Sequence, residues 1–206
     1  FNDLFSPRGK IFRKIINYLA EGMKDLSEIR NSLEYPNSGR LTEHLQVLIT
    51  SGFISKHYKW SPKTGKVVKQ SLYRLTDNYL RFYVKYIEPN LLKIEEKSFQ
   101  NFILSKLAGW DSMMGFQVEN LLLKNRYLMI KSIGIDPVDI VADNPYIQKG
   151  NIKRQGCQID YLVQTHNKNL YVCEFKFNRK EITQSIIPTI QEKIKRFEYP
   201  KGFGIC

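Results

Sequence analysis

Asp160, Glu174 and Lys176 stand inside two runs, QIDYLVQ and LYVCEFKF, that are otherwise built from strand-forming, mostly apolar residues. Residues of a strand alternate faces, so Glu174 and Lys176 point one way while Tyr171, Cys173, Phe175 and Phe177 point the other. The segment THNKN between Gln164 and Leu170 suits a hairpin loop, which pairs the two runs and brings Asp160 near Glu174. Adjacent carboxylates repel, a cost that makes sense around a divalent cation, because Asp and Glu oxygens are hard ligands. Asp160 and Glu174 are therefore candidate metal ligands, for Mg²⁺ or Mn²⁺. A lysine two residues on can orient or deprotonate a water, or stabilise charge developing on a phosphate. An amphipathic hairpin with a solvated outer face accounts for the same spacing, and on spacing alone it is the simpler account.

The elements ahead of this hairpin follow from periodicity. KIFRKIINYLAEG sets Ile11, Phe12, Ile15, Ile16 and Leu19 on one helical stripe, with Gly22 as a stop. DLSEIRNSLEY gives a short helix with Leu26, Ile29 and Leu33 inward, and PNSG breaks the chain before RLTEHLQVLITSGFI. There Leu41, Leu45, Leu48 and Ile49 face inward, leaving Arg40, Thr42, Glu43, His44 and Gln46 outside. Short helix, turn and second helix form a helix-turn-helix pattern.

FISKHYKW and VVKQSLYRL are then two extended runs joined by SPKTGK, which reads as a β-hairpin. Lys56, Lys59, Lys63, Lys66, Lys69 and Arg74 fall between Phe53 and Leu75 with no Asp or Glu, an arrangement suited to phosphate contacts. Three helices and a basic hairpin resemble a winged helix-turn-helix domain over roughly residues 8 to 76. That resemblance implies a major-groove helix beginning near Arg40 and using Thr42, His44 and Gln46, with the hairpin lysines on the DNA backbone. A protein-interaction module with a solvated basic hairpin is the alternative, and Glu43 on the reading face favours it.

The aromatic-rich connector LTDNYLRFYVKYIEPN reads as helical core through Leu80, Tyr83, Tyr86 and Ile87 until Pro89. After Lys176, Ile182, Ile186 and Ile187 are expected to cover the sheet, Pro188 to interrupt or start a helix, and a last strand to begin near Gly202. Gln184 is a polar candidate on this stretch, more simply an exposed residue. Lys149, Lys153 and Arg154 either guide a DNA strand or belong to a solvated loop, and the loop is the simpler reading.

Hydrophobic residues make up 42% of the 206-residue chain and aromatics 13%, enough to build a core and to exclude intrinsic disorder. Against 20 Asp and Glu stand 32 Lys and Arg, a formal charge of +12 that favours polyanions such as nucleic acid. No apolar run reaches the ~20 residues that span a bilayer, and FNDLFSPRGK lacks a signal-peptide stretch, so a cytoplasmic protein is expected. Cys157, Cys173 and Cys206 show no zinc-ligand spacing and no disulfide framework. The absence of an initiator Met and the final GFGIC, which reads as the start of a strand, suit a piece of a longer chain.

The order of Asp160, a hairpin, then Glu174-Phe175-Lys176 resembles the PD-(D/E)XK nuclease superfamily, also called restriction-endonuclease-like. The resemblance implies that Asp160 and Glu174 feed one metal site with Lys176 beside it. Many members add a glutamate from a preceding helix, and GFQVENLLLKN offers Glu119 amid Phe116, Val118, Leu121 and Leu122. As an ordered set, the winged-helix pattern, L-T-D-x-Y-L-R-F-Y, G-F-x-x-E, I-D and E-F-K resemble the C-terminal half of the archaeal-type AAA ATPase family. That family joins an N-terminal P-loop ATPase to a winged helix and a restriction-endonuclease-like domain. No G-x-x-x-x-G-K-[ST] occurs here, so the resemblance implies that ATP binding belongs to an N-terminal ATPase domain outside this sequence.

The expected fold is thus α+β or α/β: a winged helix-turn-helix over 1–78, a helical connector over 79–110, and a mixed sheet flanked by helices over 111–206. The expected function is DNA binding with a Mg²⁺-dependent phosphodiesterase site of Glu119, Asp160, Glu174 and Lys176. A non-catalytic DNA-binding or scaffolding module is the alternative.

Overall fold

The computed structural model describes residues 9–36, 39–152, 155–181 and 183–206. The protein is mixed α+β, with two sheets among the described residues, and it divides into two compact units. One comprises Phe1–His57 and Gln70–Met113, the other Tyr58–Lys69 and Met114–Cys206.

In the first unit, helix α1 (Gly9–Ala20) leads through strand β1 (Lys24–Asp25) into α2 (Leu26–Ser32) and α3 (Arg40–Thr50). Strands β2 (Ile54–Trp60) and β3 (Val67–Leu75) follow, their joined Tyr58–Lys69 end belonging to the second unit, and the sheet order is β1-β3-β2. Asp25 starts α2 through a capping box: its carboxylate accepts from Glu28 N at 2.9 Å, and Glu28 accepts from Asp25 N at 2.7 Å. The apolar stripes converge as their spacing predicts, with Phe12, Ile15, Ile16, Leu19, Leu41, Leu45 and Leu48 in one core. Ile49 is half-buried against that core, not inside it.

The connector begins with structural duties. Thr76 Oγ1 donates to the Gly52 carbonyl at 3.0 Å, and Asp77 caps α4 (Asn78–Phe82) by accepting from Leu80 N at 2.7 Å. Arg81 is buried, its guanidinium donating to the carbonyls of Ala20 at 2.5 Å and Leu75 at 2.9 Å. These contacts, with a π-helical turn at Tyr83–Ile87 and α5 (Leu91–Glu95), place the connector in the first unit.

The second unit is built on the sheet β4-β5-β6-β7, made of Ile140–Gln148, Cys157–Thr165, Asn169–Cys173 and Gly204–Ile205. β4, β5 and β6 run antiparallel in sequence, and β7 joins β6 in parallel. Helices α6 (Trp110–Lys124) and α7 (Arg126–Ser132) supply Leu123 and Ile130 against Tyr161 and Val163 on one face. On the other face Ile159, Leu162 and Leu170 pack with Phe197, which ends helix α8 (Ile187–Arg196), and with Trp60. Pro188 sits in the first turn of α8, where a missing N–H costs nothing. Ile187 is exposed, whereas Ile190, Lys193 and Ile194 are half-buried and Phe197 is buried in the sheet's core cluster. Ile182, expected to cover the sheet, lies outside the described residues, as do Lys153 and Arg154.

The hairpin tip takes an unexpected part in this unit. Trp60 is 2% exposed; its indole N–H donates to Gln164 Oε1 at 2.7 Å, and Gln164 Nε2 donates to the Pro62 carbonyl at 3.0 Å. Gly65 closes the turn at φ +67°, with its N–H donating to the Ser61 carbonyl at 2.8 Å.

Candidate functional site

The hairpin expected from THNKN forms in the expected register, with Gln164 opposite Leu170 and Tyr161 opposite Cys173. Beyond this last pair, Asp160 is tied to the segment after Cys173 by its bond to Phe175 N. The β5–β6 ladder ends at Cys173, so Glu174 and Lys176 lie just past the strand, a correction to their expected place within it. The alternation continues nonetheless: Tyr171, Cys173 and Phe175 join one cluster, while Glu174 and Lys176 meet each other.

Asp160 owes its setting to a β-bulge. Asn144 pairs with Leu162 but Tyr146 with Ile159, so Asp160 and Tyr161 together face the single residue Pro145. Proline has no N–H for the ladder and is tolerated on this edge strand and opposite a bulge. Bulges re-aim side chains, and here Asp160 Oδ2 accepts from Phe175 N at 2.9 Å. Burial raises the Asp160 carboxyl above its ordinary value; the Phe175 N–H opposes this, Glu174 reinforces it, and Lys193 and Lys176 oppose it.

Glu174 is the more enclosed carboxylate, its side chain 5% exposed. Its Oε1 accepts from Lys176 Nζ at 2.6 Å, and its Oε2 accepts from Lys193 Nζ. A buried carboxylate demands such pairing, since an unpaired charge there would be strongly destabilising. Lys193 was not among the residues selected from the sequence. Its signal is the α8 stripe Ile190, Lys193, Ile194 and Phe197, at helical spacing with one inward position occupied by a lysine. Gln148 holds this helix end to the sheet: it donates to the carbonyls of Arg196 at 2.7 Å and Gln155 at 2.9 Å, and accepts from Glu198 N at 2.9 Å.

Asp160 and Glu174 offer two hard oxygen donors, which suits Mg²⁺ or Mn²⁺, ions that commonly take one or two protein carboxylates and keep several waters. Among the described residues no three His, Cys, Asp or Glu side chains converge to hold a metal. Glu119 lies half-buried on α6. Gln184 is exposed. On the opposite face of the sheet, Tyr161 OH donates to Asp143 Oδ2 at 2.6 Å with Arg126 Nε 3.5 Å from the same oxygen, a network that locks the bulge.

Of the residues expected to meet DNA, Arg40, Thr42, Gln46, Lys56, Lys63, Lys66 and Lys69 are exposed. Lys59 is half-buried. His44 is not free on the outer face: its ring is half-buried edge-on to Phe12 and Tyr35, and its Nε2 lies 3.1 Å from the Tyr35 hydroxyl. Arg74 is buried at 3% exposure, which removes it from the phosphate-facing set.

No family model matches the chain, and no solved structure matches it. It is 36% identical over 111 residues to the uncharacterized protein MJECL04 of Methanocaldococcus jannaschii. The match takes in 53% of this chain and 24% of that protein, so the chain spans about a quarter of the relative's length.

Proposed function

We propose that the chain is a DNA-interacting module with a metal-assisted phosphodiesterase site at Asp160, Glu174 and Lys176, and that it works in the cytoplasm as the C-terminal part of a multidomain ATPase. The observation that carries this reading is the proximity of the two carboxylates: Asp160 accepts from Phe175 N, the residue after Glu174, the Glu174 charge acts on it, and Lys176 is bonded to Glu174. Support also comes from architecture: three helices with a β1-β3-β2 sheet suit a winged helix, and a mixed sheet flanked by helices suits a restriction-endonuclease-like domain.

In this reading Asp160 and Glu174 hold Mg²⁺ or Mn²⁺, and Glu119 contributes from α6. When bound, the cation supplies Lewis acidity at a phosphoryl oxygen and a more acidic water. Lys176, half-exposed at the mouth of the site, steadies negative charge developing on the phosphate. Arg40, Thr42 and Gln46 meet base edges or backbone, and Lys56, Lys63, Lys66 and Lys69 meet phosphates.

A second reading, a non-catalytic scaffold that binds DNA or protein, draws on one observation: both oxygens of Glu174 are taken by lysines. Cleavage of supercoiled plasmid in Mn²⁺ separates the two. The enzyme reading expects nicking that falls in Glu174→Gln and Lys176→Ala; cleavage indifferent to both substitutions sinks the site, and DNA binding without cleavage favours the scaffold.

A further inference from the structure

Beside Glu174, α8 and the start of β5 enclose a cleft of about 320 Å³ lined by Cys157, Gln158, Thr189, Lys193 and Arg196 among others. Lys193 belongs to both places: its ammonium is on Glu174, and the residue is part of the cleft lining. The Cys157 thiol, raised above its ordinary value first by burial, feels the charges of Lys193, Glu174 and Arg196, and its Sγ donates to the Lys193 carbonyl at 3.4 Å. Glu192 also lines the cleft, but its carboxylate is held by Lys195 at 2.6 Å. Lys193 is likewise held, by Glu174, so Arg196 is the further cation of the lining, with hydroxyl and amide groups from Thr189 and Gln158 beside it to complete a hydrogen-bonding shell for a tetrahedral anion.

Charge balance gives this arrangement a direction. Asp160 and Glu174 against Lys176 and Lys193 form a neutral set when all four are ionised. A dication arriving alone would sit beside two ammonium groups, one of them on the Glu174 oxygen that it needs. An anion in the cleft offers Lys193 a second partner, and a side chain with four rotatable bonds can turn from one to the other. We propose that Lys193 is a displaceable resident cation of Glu174. A phosphodiester in the α8–β5 cleft draws it away, so that divalent cation and phosphate bind with positive cooperativity. This rests on the metal-site reading of Asp160 and Glu174 and adds a gate that ties metal loading to the presence of substrate.

Mn²⁺ binding to the full chain, followed by the EPR signal of free Mn²⁺, tests it without any turnover. Sulfate serves as the tetrahedral anion, exchanged for chloride at constant ionic strength. Wild type is expected to bind Mn²⁺ more tightly in sulfate. Lys193→Met is expected to bind about tenfold more tightly than wild type in chloride, within the usual span of site–site coupling, and to lose the sulfate effect. Arg196→Ala is expected to lose the sulfate effect without the gain. Wild type that binds Mn²⁺ with no sulfate dependence, or Lys193→Met that binds no more tightly, overturns the gate and leaves the metal site standing. Absence of Mn²⁺ binding in both proteins overturns the gate and the metal site together. The wild-type comparison needs no substitution, so a poorly folding variant does not rescue the proposal.

Discussion

Asp160 Oδ2 accepts the backbone N–H of Phe175 at 2.9 Å, one step beyond the last paired residues of β5 and β6. This bond keeps Glu174, the residue before Phe175, near Asp160 after the ladder has ended. Position in the site therefore depends on one carboxylate that is itself half-buried at a bulge.

The cost of that burial has a sign. Burial raises Asp160 above the ordinary 3.8, so the folded chain binds this proton more tightly than the unfolded chain. The contribution of the group to stability is then greatest below 3.8 and falls as pH rises from there through the raised folded value. Asp160→Asn keeps an oxygen for the Phe175 N–H and carries no charge. Urea unfolding is expected to show the variant more stable than wild type at pH 7, with the difference shrinking toward pH 3. Equal stability at both pH values would mean that burial of the charge carries no cost.

Trp60 joins the hairpin tip to the core of the second unit. Trp60→Ala is expected to destabilise by about 3–5 kcal/mol, the range for emptying a large aromatic site. Trp60→Phe, which keeps most of the ring volume but leaves Gln164 Oε1 without its indole donor, is expected to cost about 1–3 kcal/mol. Chemical denaturation followed by far-ultraviolet circular dichroism measures both.

Two glycines separate backbone strain from crowding. Gly65 and Gly52 have φ of +67° and +77°, but a Cβ at Gly65 would lie 2.8 Å from Val141 Cγ1, whereas Gly52 has open space. Gly52→Ala is expected to cost about 1–2 kcal/mol for a left-handed residue. Gly65→Ala is expected to cost more; equal thermal shifts would show that the loop yields to relieve the contact.

The hairpin lysines are read through salt. Replacing Lys63, Lys66 and Lys69 with glutamine is expected to make the fall of log affinity for duplex DNA with log salt shallower, by about 0.9 for each lysine on a phosphate. An unchanged slope would take the hairpin off the DNA surface.

Much of this was legible in the sequence because it rested on period. The apolar stripes placed Phe12, Ile15, Leu19, Leu41 and Leu45 in one core, and alternation across a five-residue loop fixed the register of Gln164 with Leu170. What escaped depends on long-range contacts or on local irregularity. Trp60 looks like the end of a solvated wing until Gln164, far along the chain, supplies its acceptor. The strand β4 is obscured by Asn144 and Pro145, residues that disfavour strands except where a bulge faces them. Lys193 reads as one more surface charge in EKIKR until α8 is docked and its inward stripe includes it. His44 falls on a polar position of α3, yet Phe12 and Tyr35 close over its ring.

Asp160→Asn also gives the most direct test of the central claim, because a variant expected to be at least as stable as wild type cannot lose activity by unfolding. The measurement is the rate of Mn²⁺-dependent nicking of supercoiled plasmid by the two proteins side by side, at equal folded concentration. The expected result is nicking by wild type that drops by about 10²-fold or more in Asp160→Asn, the scale on which loss of one group stabilising a transition state is felt. Equal nicking rates for the two proteins would contradict the assignment of Asp160, and with it the site.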